Sequence, residues 1–134
     1  MAAKLVLNKN KMDSSTECLW MLHWLLVKAR IEFKIMNLTF RCLNGIGPSY
    51  LTDLLCINKS RAGLWSGANE DNLIIPYVKN KTFAARSFSV VAPKLWNKLP
   101  VIVKKSSTAD EFKSRLKTHL FTQYFEENCD WIYY

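Results

Sequence analysis

No apolar run in this chain reaches the roughly 18 residues that a membrane span requires. The strongest candidate, Cys18 to Val27, is interrupted by His23 and followed at once by Lys28, Arg30 and Glu32, so no transmembrane helix is expected. Met1 to Glu17 carries lysines without an apolar core of signal-peptide length or a small-residue cleavage site. The expected location is therefore intracellular, in cytoplasm or nucleus. Metal ligands are also scarce. The cysteines Cys18, Cys42, Cys56 and Cys129 never fall two to four residues apart, and the only histidines are His23 and His119. That leaves no zinc-ligand spacing, and reduced structural thiols are the expectation.

Catalytic patterns are missing in the same way. Nucleotidyl transfer needs carboxylates converging on two metal ions. The adjacent acids here are Glu70-Asp71 in a loop, Asp110-Glu111 at a helix start and Glu126-Glu127 near the end, all read more simply as solvated or helix-capping groups. A Gly-rich GxxxxGK[ST] loop and an HExxH pair are both absent. His119 on the edge of an apolar stripe, and His23 between Leu22 and Trp24, read as packed histidines rather than catalytic ones. The residues thus name no catalytic group, cofactor, metal site or small-molecule substrate.

What is present is positive charge in one place. Lys79, Lys81, Arg86, Lys94, Lys98, Lys104, Lys105, Lys113, Arg115 and Lys117 face only Asp110 and Glu111 between 79 and 117. This stretch accounts for the net charge of +8, the remainder being balanced. A single-signed stretch attracts polyanions by counterion release and steering, nucleic acid first and an anionic membrane surface second; a solubilising face is the plain alternative.

Periodicity and caps predict a mainly α fold: one small helical domain over 14–125, with three substantial helices, two short ones and at most one small β-hairpin. Residues 1–13 are expected to be irregular or disordered, and 126–134 to be a tail. Ser14 with Glu17 makes a capping box for a helix to about Trp24. In the second helix, Val27 to Asn44, the residues Val27, Ile31, Ile35, Leu38 and Cys42 cluster on one side. Ala29, Phe33, Met36, Phe40 and Leu43 cluster on the other, which predicts burial between two layers. A polar stripe of Arg30, Lys34, Asn37 and Arg41 carries no carboxylate and is a candidate phosphate track. Gly45 should close this helix, and a short one should run from Tyr50 to about Cys56.

Further along, Asn58 to Asn72 reads as a loop with Leu64 and Trp65 as anchors. Leu73 to Val78 is a β-prone run that Pro76 confines to an edge, paired with Phe83 to Val91 after a turn at Lys79 to Thr82. Pro93 and Pro100 bracket one or two helical turns containing Leu95, Trp96 and Leu99. Trp96 is read as core, with base stacking as its functional alternative. Thr108 with Glu111 opens a last helix to about Phe125, with Phe112, Leu116, Leu120 and Tyr124 as its apolar stripe. Phe121 and Phe125 point away from that stripe and are candidate partner-docking residues.

Three ordered stretches resemble the C-terminal region of LINE-type (non-LTR) retrotransposon reverse transcriptases, of the jockey-like or chicken-repeat-like branch. They are Leu22-His23-Trp24-Leu25 through Ile31-Glu32-Phe33-Lys34-Ile35 to Leu43-Asn44-Gly45, then Pro48-Ser49-Tyr50-Leu51-Thr52-Asp53-Leu54-Leu55, then Phe88 to Pro100 continuing through Phe112 to Phe121. The resemblance covers about Cys18 to Phe125. It departs at Leu26, where the family usually has proline, and over Met1 to Glu17. It implies a detached, non-catalytic region that follows the polymerase palm and thumb and binds element RNA or target DNA without sequence readout. The polymerase domain would be its partner. On this reading the nucleic-acid contacts are Arg30, Lys34, Arg41 and the ten basic residues from Lys79 to Lys117. A protein-docking module for the polymerase thumb and an inactive relic of an open reading frame remain the alternatives.

Overall fold

The computed structural model describes residues 2–58, 72–79 and 84–126. The chain is mainly helical: α1 (Ala2–Val6), α2 (Ser15–Met21), α3 (Val27–Leu43), α4 (Ser49–Thr52), a 3-10 turn (Ala84–Arg86), α5 (Phe88–Lys98), α6 (Val101–Lys104) and α7 (Ala109–Glu126). Among the described residues the β structure is one antiparallel bridge, Ile57 to Leu73, and no helix is long and apolar enough to cross a membrane. The chain groups into two compact units, Met1–Phe33 with Ser114–Tyr134, and Lys34–Lys113. Both divisions fall inside a helix, so no linker composition marks them.

In the first unit, 2–6 are helical where an irregular N-terminus was expected, because Ala2, Ala3, Lys4 and Leu5 are all good helix formers. Asn8, at φ 50°, closes α1: its N–H donates to the Leu5 carbonyl, and the Lys9 N–H to that of Lys4. This is a Schellman closure with asparagine in the left-handed position. Ser14 caps α2 as expected, its Oγ accepting from the Glu17 N–H at 3.5 Å. The helix ends at Met21, short of the expected Trp24. His23 is left-handed at φ 52°, and the His23 and Trp24 amides donate to the Trp20 and Leu19 carbonyls at 3.0 and 2.8 Å. A glycine would have signalled this stop; a histidine does not.

The expected two-layer burial of α3 is overturned. Ala29, Met36, Phe40 and Cys42 are buried, but Val27 is 71% exposed and Ile31 56%. The side of Ala29, Met36 and Phe40 meets the interior, and on the other side Val27, Ile31 and Leu38 are exposed while Cys42 is buried, so two apolar stripes on a helix do not by themselves show two covering layers. On α7 the expected stripe holds, with Leu116 and Leu120 buried in this unit. Tyr124 donates its hydroxyl to Glu32 at 2.7 Å beneath the Lys28 ammonium.

The core of the second unit is built on three rings. Phe40 stacks on Phe112 at 4.2 Å between centroids, and Trp96 lies 6.0 Å from Phe112. Val90, Ala92, Leu99 and Val103 are buried as well. Trp96, only 4% exposed, is a core residue, and the base-stacking alternative for it falls. Gly45 (φ 71°) ends α3 as expected: its N–H reaches the Cys42 carbonyl and that of Ile46 reaches Arg41. Helix α4 stops at Thr52 rather than near Cys56, with Pro48 at its cap.

The expected hairpin is corrected here. Leu73 bridges to Ile57, not to the segment after the turn, and Phe88 to Val91 is the opening of α5. The Val90 and Val91 amides both donate to the Ser87 carbonyl, so Ser87 starts a helix at residues whose β-branched pair reads as strand. Pro93 therefore sits inside α5 rather than in its first turn. The edge of the extended segment is held instead by Asn97, whose amide accepts from the Leu73 N–H at 2.8 Å and donates to the Leu73 carbonyl at 2.9 Å. A side-chain amide takes the place of a neighbouring strand. Pro100 ends α5 and caps the single turn of α6, an element too short to leave a periodic pattern in the sequence. Thr108 then opens α7 as expected: Oγ1 accepts from the Glu111 N–H, and Glu111 Oε2 accepts from that of Ser107. Leu64, Trp65, most of the expected turn at 79–82, and Cys129 lie outside the described residues.

Candidate nucleic-acid interface

The candidate cations are largely on the surface. Arg30, Lys34, Arg41, Lys79, Arg86, Lys94, Lys98, Lys105, Arg115 and Lys117 are exposed, Lys104 and Lys113 half-buried, and Lys81 lies outside the described residues. Exposure alone does not make a site, and several of these residues are already engaged. Lys113 pairs with Asp110 at 2.9 Å, and the hydrogen bond and charge of that ammonium hold the Asp110 carboxyl below its ordinary range. Lys104 donates to Asn72 Oδ1 at 2.9 Å.

The structure brings four of the candidates to two places, while Lys79, Arg86, Lys94, Lys98 and Arg115 line neither. In the second unit, a recess of about 310 Å³ has Phe40, Leu73 and Trp96 in its lining with Lys104, Lys105 and Ser106. In the first unit, a cleft of about 380 Å³ is lined by His23, Trp24, Leu25, Arg30, Phe33 and Lys117. The second of these is the stronger site, because among the described residues its lining holds two cations, three rings and no carboxylate. Lys34 and Arg41, though on the same polar stripe as Arg30, line neither place. Asn37 on that stripe buries its Oδ1 without a hydrogen-bond partner among the described residues.

The backbone explains how the cleft is built. The left-handed turn at His23 ends α2 and sends Trp24 and Leu25 across to the start of α3. Leu25 is buried and its carbonyl accepts a 2.8 Å hydrogen bond from Arg30 Nε. That bond ties the guanidinium over the Trp24 ring, with Cζ 5.9 Å from the centroid. Such a pairing keeps the cation in place by quadrupole attraction as well as by the hydrogen bond. His23 is likewise fixed, stacking on Phe121 at 5.1 Å and 5° between planes. Phe121 in turn meets Phe125 at 4.4 Å, and Phe125 is 6% exposed. The two phenylalanines read as docking residues are thus engaged inside the first unit.

Chemically, the cleft can hold an anion between the held guanidinium of Arg30 and the ammonium of Lys117, with ring surface beside it. No group of three His, Cys, Asp or Glu side chains among the described residues is placed to hold a metal ion. Arg30 and Lys117 were legible as cations from the sequence. Trp24, Phe33 and His23 were missed as site residues: the left-handed turn at His23 brings His23 and Trp24 to Arg30 with no glycine to announce it, whereas Phe33, three residues along α3 from Arg30, was read only as an apolar position of that helix. Compared with known proteins, the chain matches no family model, no curated protein and no solved structure.

Proposed function

We propose that the chain is a non-catalytic nucleic-acid-binding region, an accessory segment like the C-terminal part of LINE-type reverse transcriptases. One observation carries the reading: Arg30 and Lys117 share a ring-lined cleft that no carboxylate enters among the described residues. A surface kept only for solubility intersperses both signs, whereas this cleft carries one. The exposed lysines and arginines between 79 and 117 add a wider positive field that draws a polyanion toward the chain. Contacts of this kind go to phosphates and do not read sequence.

The test is binding to labelled nucleic acid across a salt series. Log affinity is expected to fall linearly with log salt, with a slope of roughly 0.7 to 0.9 per neutralised phosphate. The double change Arg30→Ala and Lys117→Ala should reduce that slope by roughly 0.7 to 1.8, the equivalent of one or two phosphates, while the helical circular-dichroism signal stays. Binding that ignores salt, or no binding at low salt, removes the reading. The outward side of α3 favours a second one, a docking module for a protein such as a polymerase domain, because Val27 and Ile31 lie one turn apart and exposed.

A further inference from the structure

The cleft has more in it than phosphate binding needs. A site for the backbone alone requires cations without rings, and a site for an apolar peptide requires rings without cations. Here Trp24, Phe33 and His23 stand with Arg30 and Lys117, the two halves of a nucleotide's chemistry. We infer that the cleft takes an unpaired nucleotide, its base laid on the Arg30 guanidinium that covers Trp24 and its phosphate on Lys117, so that the chain prefers single strands to duplex. This rests on the nucleic-acid reading above and narrows it.

Arg30 is prepared for that role. Its Nε is bound to the Leu25 carbonyl at 2.8 Å and its Cζ stands over the indole. A base added to the pair meets a cation already held over an indole, and a guanidinium held by both contacts loses little freedom on binding. The ammonium of Lys117 is on a flexible stem and can follow the phosphate as a point charge. A duplex cannot use the rings. Its base faces are covered by their own neighbours, and it presents only phosphates and groove edges, so it gains from the two cations and from nothing else in the cleft. Every base has a ring face, hence the preference is for strandedness rather than sequence.

The experiment compares three DNA probes of about ten nucleotides on the full chain at one salt concentration: a single strand, its duplex, and an abasic strand of equal length and charge. The single strand is expected to bind about tenfold or more tightly than the other two. Arg30→Lys keeps the charge and removes the plane, so it should close the gap between the single strand and the abasic strand while leaving the salt slope unchanged. Trp24→Leu should close it too, with helical circular dichroism checked. Equal binding of the base-bearing and abasic strands, or a gap that survives Arg30→Lys, overturns the inference and leaves the nucleic-acid reading standing. No binding to any probe at low salt overturns both.

Discussion

A Cβ on Gly47 would lie 2.6 Å from Cys42 Sγ and 2.8 Å from the Cys42 nitrogen and Cα. The sulfur could turn aside, but the backbone of a buried residue in the last turn of α3 cannot. Gly47→Ala should therefore lower stability by about 1–3 kcal/mol, read as a shifted urea midpoint with an unchanged slope; an unmoved midpoint would show that the turn relaxes freely. Charge at single residues has a checkable pH signature as well. The Lys113 ammonium lowers the Asp110 pKa from its ordinary 3.8, first by hydrogen bonding and then by attraction. A depressed carboxylate stabilises the fold above its unfolded pKa and loses that contribution as pH falls through the folded one. The advantage of the wild type over Asp110→Asn should accordingly be present at neutral pH and fade below about pH 4. The effect is small, because an exposed pair in water is strongly screened. A difference in midpoint that stays constant from neutral to acid pH would contradict the assignment.

At the scale of elements, what could be read depended on whether the signal was local. The ranges of α3 and α7 were legible because each combines a long 3.6-residue pattern with an end signal in the sequence, Gly45 for one and Thr108 with Glu111 for the other. The end of α2 was not, since its stop is a left-handed histidine. The start of α5 was misread because Val90 and Val91 favour strand locally, and burial of Val90, Ala92, Pro93 and Trp96 along a helix outweighs that preference. The same misreading hid the role of Asn97, whose contact with Leu73 spans 24 residues. Half of the cleft was legible as charge; of its rings, His23 and Trp24 arrive only through the His23 turn, and Phe33, one turn along α3 from Arg30, was read only as an apolar position of that helix. Asn97 gives the element-scale prediction. Asn97→Ala leaves the N–H and carbonyl of a buried Leu73 without that partner, and should cost about 1–3 kcal/mol. Thermal melts should register it, and Asn97→Asp, which keeps the acceptor and loses the donor, should fall between. A melt of Asn97→Ala equal to the wild type would mean that water replaces the amide at no cost.

For the whole molecule, the net charge of +8 and the exposed apolar side chains pull association in opposite directions. Like charge holds copies apart, and salt screens that repulsion within a Debye length of about 8 Å at physiological ionic strength. Apolar contact is not weakened by the same salt. Val27, Ile31, Leu5 and Trp20 are all at least half exposed in the first unit, so copies of the isolated chain should self-associate more as salt rises. Nucleic-acid binding should weaken over the same range, because there salt competes for the phosphates. The two responses separate the two kinds of surface in one titration. Light scattering at rising concentration and salt is expected to show growing mass, and Val27→Asp with Ile31→Lys should suppress the growth without changing the salt slope of nucleic-acid binding. That independence follows from the lining of the cleft, which includes neither Val27 nor Ile31. A monomer at every salt and concentration would remove the outward side of α3 as a docking surface, while the cleft reading would stand on its own test.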